Sequence, residues 1–167
     1  MRNNSVRKSR ACIRPEISRT GMTPEGKKGA SRGLFFTQHL AKIVVNDVFT
    51  NFTKLDLSYL FKESYDNAFL ENVYSAPVIS LKELPWKFQS LDSKAMRIQY
   101  KTLKEYLQIA KYLKIMRDFK EGVSRTAYFG VVTCFFYGKR IYVAPDRDTW
   151  QGYDPKWEAS QTDMEIN

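Results

Sequence analysis

Apolar positions recur at two different periods along this chain, and each period predicts a different kind of element. After Thr37, which has the side chain to cap a helix, Leu40, Ile43, Val44 and Val48 follow at near-helical spacing and predict a helix over 38–49. Leu57, Leu60, Phe61, Phe69 and Leu70 make the packed face of a second helix over about 57–72, opened by Asp56 or Ser58. Residues 76–81 read as a short extended piece after a turn, and Pro85 interrupts regular structure. Trp86 and Phe88 fall in the loop that follows and are expected to pack down on the helices. Met96, Tyr100, Leu103, Leu107 and Ala110 share one face of a long helix over 93–120, with Asp92 or Ser93 as cap and Gly122 at its end.

The pattern changes between Thr126 and Val143. Tyr128 to Tyr137 is a nearly continuous apolar run, as expected of a strand covered on both faces, and Ile141-Tyr142-Val143 follows. Gly138 and Lys139 lie between the two and predict a tight hairpin turn. The fold class expected is therefore α+β: helices followed by a small antiparallel β-hairpin sheet, preceded by an extended basic N-terminal arm.

That arm is defined by what it lacks. The first aromatic residue is Phe35, and all of Phe, Tyr and Trp lie between there and Trp157. A segment without aromatics buries too little apolar area to offset its ordering entropy, so folding is expected to begin near Leu34. Pro15, Pro24 and a scatter of Gly, Ser and Asn favour open chain over helix in residues 1–33. Three regions follow: a flexible basic arm over 1–33, a compact domain over 34–145 and an acidic loop-like tail over 146–167. At 167 residues the chain has one-domain length, and 43% hydrophobic content with 14% aromatics is ample for a core.

Charge follows the same division. The arm carries +7 of the net +9, and the stretch from Asp146 onward carries −4. The arm's cations are Arg2, Arg7, Lys8, Arg10, Arg14, Arg19, Lys27, Lys28 and Arg32, the last three set among Gly26, Gly29 and Gly33. On the predicted long helix, Arg97, Lys101, Lys104 and Lys111 fall on one face with Lys94 nearby, a spacing that suits successive phosphates. These fourteen residues are the expected nucleic-acid-binding set, with RNA favoured over DNA, and the arm's guanidinium groups can grip phosphate or stack on exposed bases.

The function read from this pattern is a non-catalytic, nucleic-acid-associated component of a larger assembly, such as a ribonucleoprotein or mitochondrial ribosome, with other proteins of that assembly as further partners. The alternatives are a viral or other structural assembly protein, whose contacts are mainly to protein, and a Mg-dependent nuclease using Asp146, Asp148, Asp154 and Lys156. Pro155 argues against the nuclease, since it fits poorly in the strand that would aim Asp154 and Lys156 inward. Thr23 to Ser31 lacks the G-x-x-x-x-G-K-[ST] spacing of a phosphate loop, and His39 has no evident acid or nucleophile beside it. One histidine and two scattered cysteines, Cys12 and Cys134, give no transition-metal site, so no catalytic residue, metal or cofactor is expected. The cysteines also fit an intracellular reducing compartment, and no apolar stretch reaches membrane-spanning length. The Arg- and Ser-rich first residues make a mitochondrial transit peptide the main rival reading of the arm.

Overall fold

A computed structural model describes residues 12–29, 33–34, 36–41, 43–90, 92–117, 119–120, 123–124 and 126–149. The chain divides into two compact units, Met1–Ala68 and Phe69–Asn167.

In the first unit regular structure is short. Single turns of 3-10 helix form at Pro24–Lys28, Phe52–Lys54 and Ser58–Leu60, and a π-helical turn at Phe36–Leu40. Helix α1 runs Lys62–Ser75 across the division at Ala68, with a Lys62–Asp66 ion pair one turn apart. The helix expected over 38–49 is thus only its first turn. Residues 43–50 are irregular, because their backbone bonds elsewhere: the Asn46 N–H donates to the Ser18 carbonyl at 2.8 Å, and Arg19 donates to the Val48 carbonyl at 2.9 Å. The same contacts correct the expectation of an extended basic arm. Residues 18–21 run beside 45–48, with Gly21 so close to Val45 that an added Cβ would meet it at 2.9 Å. The helix expected over 57–72 starts later, since Asp56 folds back to accept from the Ser58 N–H at 2.8 Å and holds an Asx turn there.

The second unit is built on a three-stranded sheet. Its strands are β1 (Ala95–Tyr100), β4 (Val132–Phe136) and β5 (Lys139–Pro145), in the order β1-β5-β4. β4 and β5 form the expected antiparallel hairpin, with Val132 opposite Val143 and Phe136 opposite Lys139. Tyr137 and Gly138 turn it, with φ of 46° and 82°, the double positive φ of a type I′ turn. The sheet is nevertheless mixed: β1 pairs parallel with β5, from Ala95 opposite Arg140 to Tyr100 opposite Pro145. Val78 adds an isolated parallel bridge to Arg97, which fits the short extended piece read at 76–81. A separate two-stranded ladder joins β2 (Phe119–Lys120) to β3 (Val123–Ser124).

β1 overturns the long helix over 93–120. Met96, Ile98 and Tyr100 are buried and their neighbours are not, the period-two burial of a strand with one covered face. Helix α3 begins only at Leu103 and ends at Leu113, closed by Lys114 in the left-handed region at φ 57°. Between the two strand-side and helix-side segments, Thr102 caps α3 by accepting from the Glu105 N–H at 3.3 Å. The run from Tyr128 is likewise not one strand. Phe129 and Gly130 both have positive φ, and Tyr128 and Val131 exchange two backbone bonds of 2.9 Å around them. Helix α2 (Leu84–Ser90) replaces the loop expected around Trp86, and Trp86 is exposed rather than packed down.

β5 is central, paired along both edges, and the five residues from Ile141 to Pro145 are buried on both faces. Ile141 and Val143 join Met96, Ile98, Tyr100, Tyr106 and Ile109 in one core cluster, whereas Tyr142 and Ala144 join Val73, Ala76 and Val131 in another. The sheet is sandwiched between α3 on one side and the end of α1 on the other. Among the described residues no helix is long and apolar enough to cross a membrane.

Candidate functional site

The second unit carries a groove of about 440 Å³ between the 78–83 segment, β1 and α3. Ile79, Ile98 and Ile109 form its apolar floor, and all three are core residues, so the floor is rigid. Ser80, Glu83, Gln99, Glu105 and Gln108 line it with polar groups. Two local devices fix the carboxylates. Ser80 and Glu83 form a reciprocal capping box: the Ser80 N–H donates to Glu83 Oε2 at 2.9 Å and the Glu83 N–H to Ser80 Oγ at 3.3 Å. Glu105, three residues after the Thr102 cap, accepts from the Lys101 N–H at 2.6 Å.

These bonds decide what the carboxylates can do. The Lys87 ammonium, 2.6 Å away, together with the Ser80 donors holds the Glu83 carboxyl down at about 2. It stays ionised and is a hydrogen-bond acceptor, not a proton donor. Gln99 and Gln108 add neutral groups that donate and accept at once. An apolar floor edged by amide groups and a fixed carboxylate acceptor can hold a hydroxyl-bearing ligand. Among the described residues no group of three or more His, Cys, Asp or Glu is placed to hold a metal ion.

A second cluster lies where β5 ends. Arg97 and Arg147 place their guanidinium groups over the Tyr74 ring, 4.8 and 4.7 Å from its centroid. Burial, the largest influence, raises the Tyr74 hydroxyl above its ordinary value, and the two guanidiniums oppose that rise. Asp146 accepts from the Asp148 N–H at 3.0 Å and pairs with Lys101 at 3.3 Å. The turn bond is the largest influence lowering its carboxyl, and Lys101 adds to it. Asp146 is therefore a turn-holding residue. Asp154 and Lys156, proposed with it as a nuclease set, lie outside the described residues.

Of the fourteen cations, nine lie among the described residues, four in the first unit and five in the second. Arg2, Arg7, Lys8, Arg10 and Arg32 lie outside the described residues. Arg14 and Lys28 are exposed, Arg19 is bonded to Val48, and Lys27 sits 5.7 Å from the Phe36 ring centroid. The predicted row from Lys94 to Lys111 is broken by the change from strand to helix. Lys94 precedes β1, Arg97 is on β1 against Tyr74, Lys101 pairs with Asp146, and only Lys104 and Lys111 stand exposed together on α3. The groove residues were absent from the expected set. Ser80-x-x-Glu83 and Thr102-x-x-Glu105 are readable capping signatures that mark both of its glutamates.

Comparison with known proteins gives the sequence a different meaning. Over 125 residues, 75% of this chain, it is 40% identical to the alpha-1,3-mannosyl-glycoprotein 2-beta-N-acetylglucosaminyltransferase of Arabidopsis thaliana. The chain spans 28% of that relative's length. The relative is an enzyme of sugar transfer, and this overturns the expectations of a non-catalytic protein, of a ribonucleoprotein component and of a nucleic-acid partner. The basic composition that suggested a polynucleotide does not distinguish one polyanion from another, nor from none. The model of the GNT-I family matches residues 1–157, nearly the whole sequence, and the chain belongs to that family.

Proposed function

We propose that this chain works in the transfer of N-acetylglucosamine to a mannose residue of a glycoprotein. The observation that carries the proposal is the 40% identity to a transferase named for that reaction. Transfer requires an acceptor hydroxyl held against the anomeric carbon of an activated sugar, so much of the task is positioning. The groove in the second unit supports a role in holding the acceptor glycan. Ser80, Gln99 and Gln108 offer donors and acceptors to sugar hydroxyls, and the ionised Glu83 carboxylate accepts from them. In this reading the groove binds and orients, and Glu83 takes no part in proton transfer.

The test uses the Arabidopsis relative with its matched segment replaced by this chain, so that the remaining part of the enzyme is present. Steady-state transfer to a mannose-terminated glycoprotein is measured for this chimera and for its Gln99→Ala/Gln108→Ala variant. The proposal expects the variant to raise KM for the acceptor by about tenfold, one to two hydrogen bonds to a hydroxyl, with KM for the donor unchanged. An unchanged acceptor KM removes the groove from the acceptor site.

A further inference from the structure

Asn51-Phe52-Thr53 is an N-x-T triplet whose middle residue is not proline, the sequence at which an oligosaccharide can be attached to an asparagine side chain. Short patterns recur by chance, so the surroundings of the triplet decide whether its asparagine can be reached. All three residues are exposed, Phe52 at 52%. They open a single 3-10 turn, Phe52–Lys54, that contains no buried residue. The asparagine is therefore offered at the surface, with no core beneath it to disturb.

Hydrogen bonds fix which end of the Asn51 amide is free. The Thr53 N–H donates to Oδ1 at 3.2 Å, and the Thr53 hydroxyl donates to the same oxygen at 2.6 Å. A backbone N–H can only donate, so the atom it meets is the amide oxygen and Nδ2 is the other end. Among the described residues nothing accepts from Nδ2, and both of its hydrogens stay available. The turn is also built from its own residues. The Lys54 and Leu55 N–H groups donate to the Asn51 and Phe52 carbonyls at 3.1 and 3.4 Å. Each bond joins residues two or three apart, so the turn can form before the rest of the unit packs.

We infer that Asn51 is an acceptor of N-linked glycosylation, with an oligosaccharide carried on a lipid diphosphate as donor. In that transfer Nδ2 forms a bond to the anomeric carbon of the first sugar. The anomeric C–O bond to the diphosphate breaks, and the lipid diphosphate leaves with the electron pair. The nitrogen passes one proton to a base of the transferring enzyme. Both bonds to Oδ1 survive the reaction, so the turn persists in the glycosylated chain. A chain acting on glycoproteins meets them where their glycans are built, so for its compartment this inference rests on the proposed function. Asn3-Asn4-Ser5 fits the same pattern but lies outside the described residues, and it serves as an internal comparison.

The full chain is translated behind a secretory signal in the presence of endoplasmic-reticulum microsomes, and only chains protected from added protease are scored. Release with peptide-N-glycosidase in heavy-oxygen water labels each asparagine that carried a glycan, and peptide mass spectrometry locates the label. Label is expected at Asn51 in the parent and in Asn3→Gln. It is lost in Asn51→Gln and in Thr53→Val, which removes the hydroxyl at nearly constant shape, and it is kept in Thr53→Ser, which retains the hydroxyl. Protected chains unlabelled at Asn51, or labelled at Asn3 alone, overturn the inference, and so does label at Asn51 that survives Thr53→Val. The readout is a peptide mass and not sugar transfer by this chain. An unlabelled Asn51 therefore leaves the proposed function standing, and a labelled Asn51 in a chain whose chimera transfers no sugar counts against that function alone.

Discussion

Tyr100 ends the strand that carries Gln99 into the groove, and replacing it tests how that strand is anchored. Its side chain is 1% exposed, its hydroxyl donates to the Gly130 carbonyl at 2.6 Å, and its ring meets Tyr106 edge-on with centroids 5.3 Å apart. Gly130 is itself buried at positive φ, so its carbonyl has little access to replacement water. Tyr100→Phe keeps the ring and leaves that carbonyl unsatisfied, which costs about 1–3 kcal/mol. Tyr100→Ala removes the ring as well and costs about 3–5 kcal/mol or more. All three tryptophans lie in the second unit, so their fluorescence during urea unfolding reports on that unit. At a typical slope of about 2 kcal/mol per M, Tyr100→Phe lowers the midpoint by about 0.5–1.5 M with the slope unchanged. A midpoint within about 0.2 M of the parent would mean that the buried hydroxyl contributes nothing net. Equal losses for Phe and Ala would refute the division between hydrogen bond and ring.

Two further expectations concern single groups. Glu83 has its carboxyl held at about 2 against an ordinary 4.5, so its favourable contacts are fully present above pH 4.5 and are lost as the pH falls toward 2. Urea midpoints of the parent and Glu83→Gln are therefore expected to differ above pH 4.5 and to converge below it; parallel curves throughout would contradict the capping-box account. Burial pushes the Cys134 thiol up to about 12, whereas Cys12 is exposed. At pH 8 a disulfide reagent should titrate one thiol quickly and the second only on unfolding, and two fast thiols would place Cys134 at the surface.

Local chemistry was legible in the sequence, and pairing between distant segments was not. Gly138 marks the hairpin turn, and the structure places the turn at Tyr137-Gly138. Met96 and Tyr100 are four apart and fit a helix face as well as a strand face. Ile98 between them is the residue that decides for the strand, because in a helix it would point away. The parallel pairing of β1 with β5 joins residues 45 positions apart, and no local pattern encodes it. Gly130 was readable as a strand residue until its positive φ made it a turn.

The site was less legible than the fold. Net charge drew attention to the cations, yet Arg97 is stacked on Tyr74 and Arg19 is tied to backbone, both serving structure. The groove depends on Ser80, Gln99 and Gln108, neutral residues that composition does not single out. Its two glutamates carry capping signatures, but a cap read from sequence says only that a helix starts there. Membership in the GNT-I family comes from similarity across nearly the whole chain rather than from any short motif.

The central claim is that this chain can serve in N-acetylglucosamine transfer, and the chimera tests it directly. A mannose-terminated glycoprotein is incubated with nucleotide-activated N-acetylglucosamine and the Arabidopsis transferase carrying this chain in place of its matched segment. Mass spectrometry of the released glycans then follows the addition of one N-acetylhexosamine. The account predicts that the added sugar accumulates with time and enzyme concentration. A chimera that is folded by circular dichroism and yet leaves the glycan mass unchanged would contradict it.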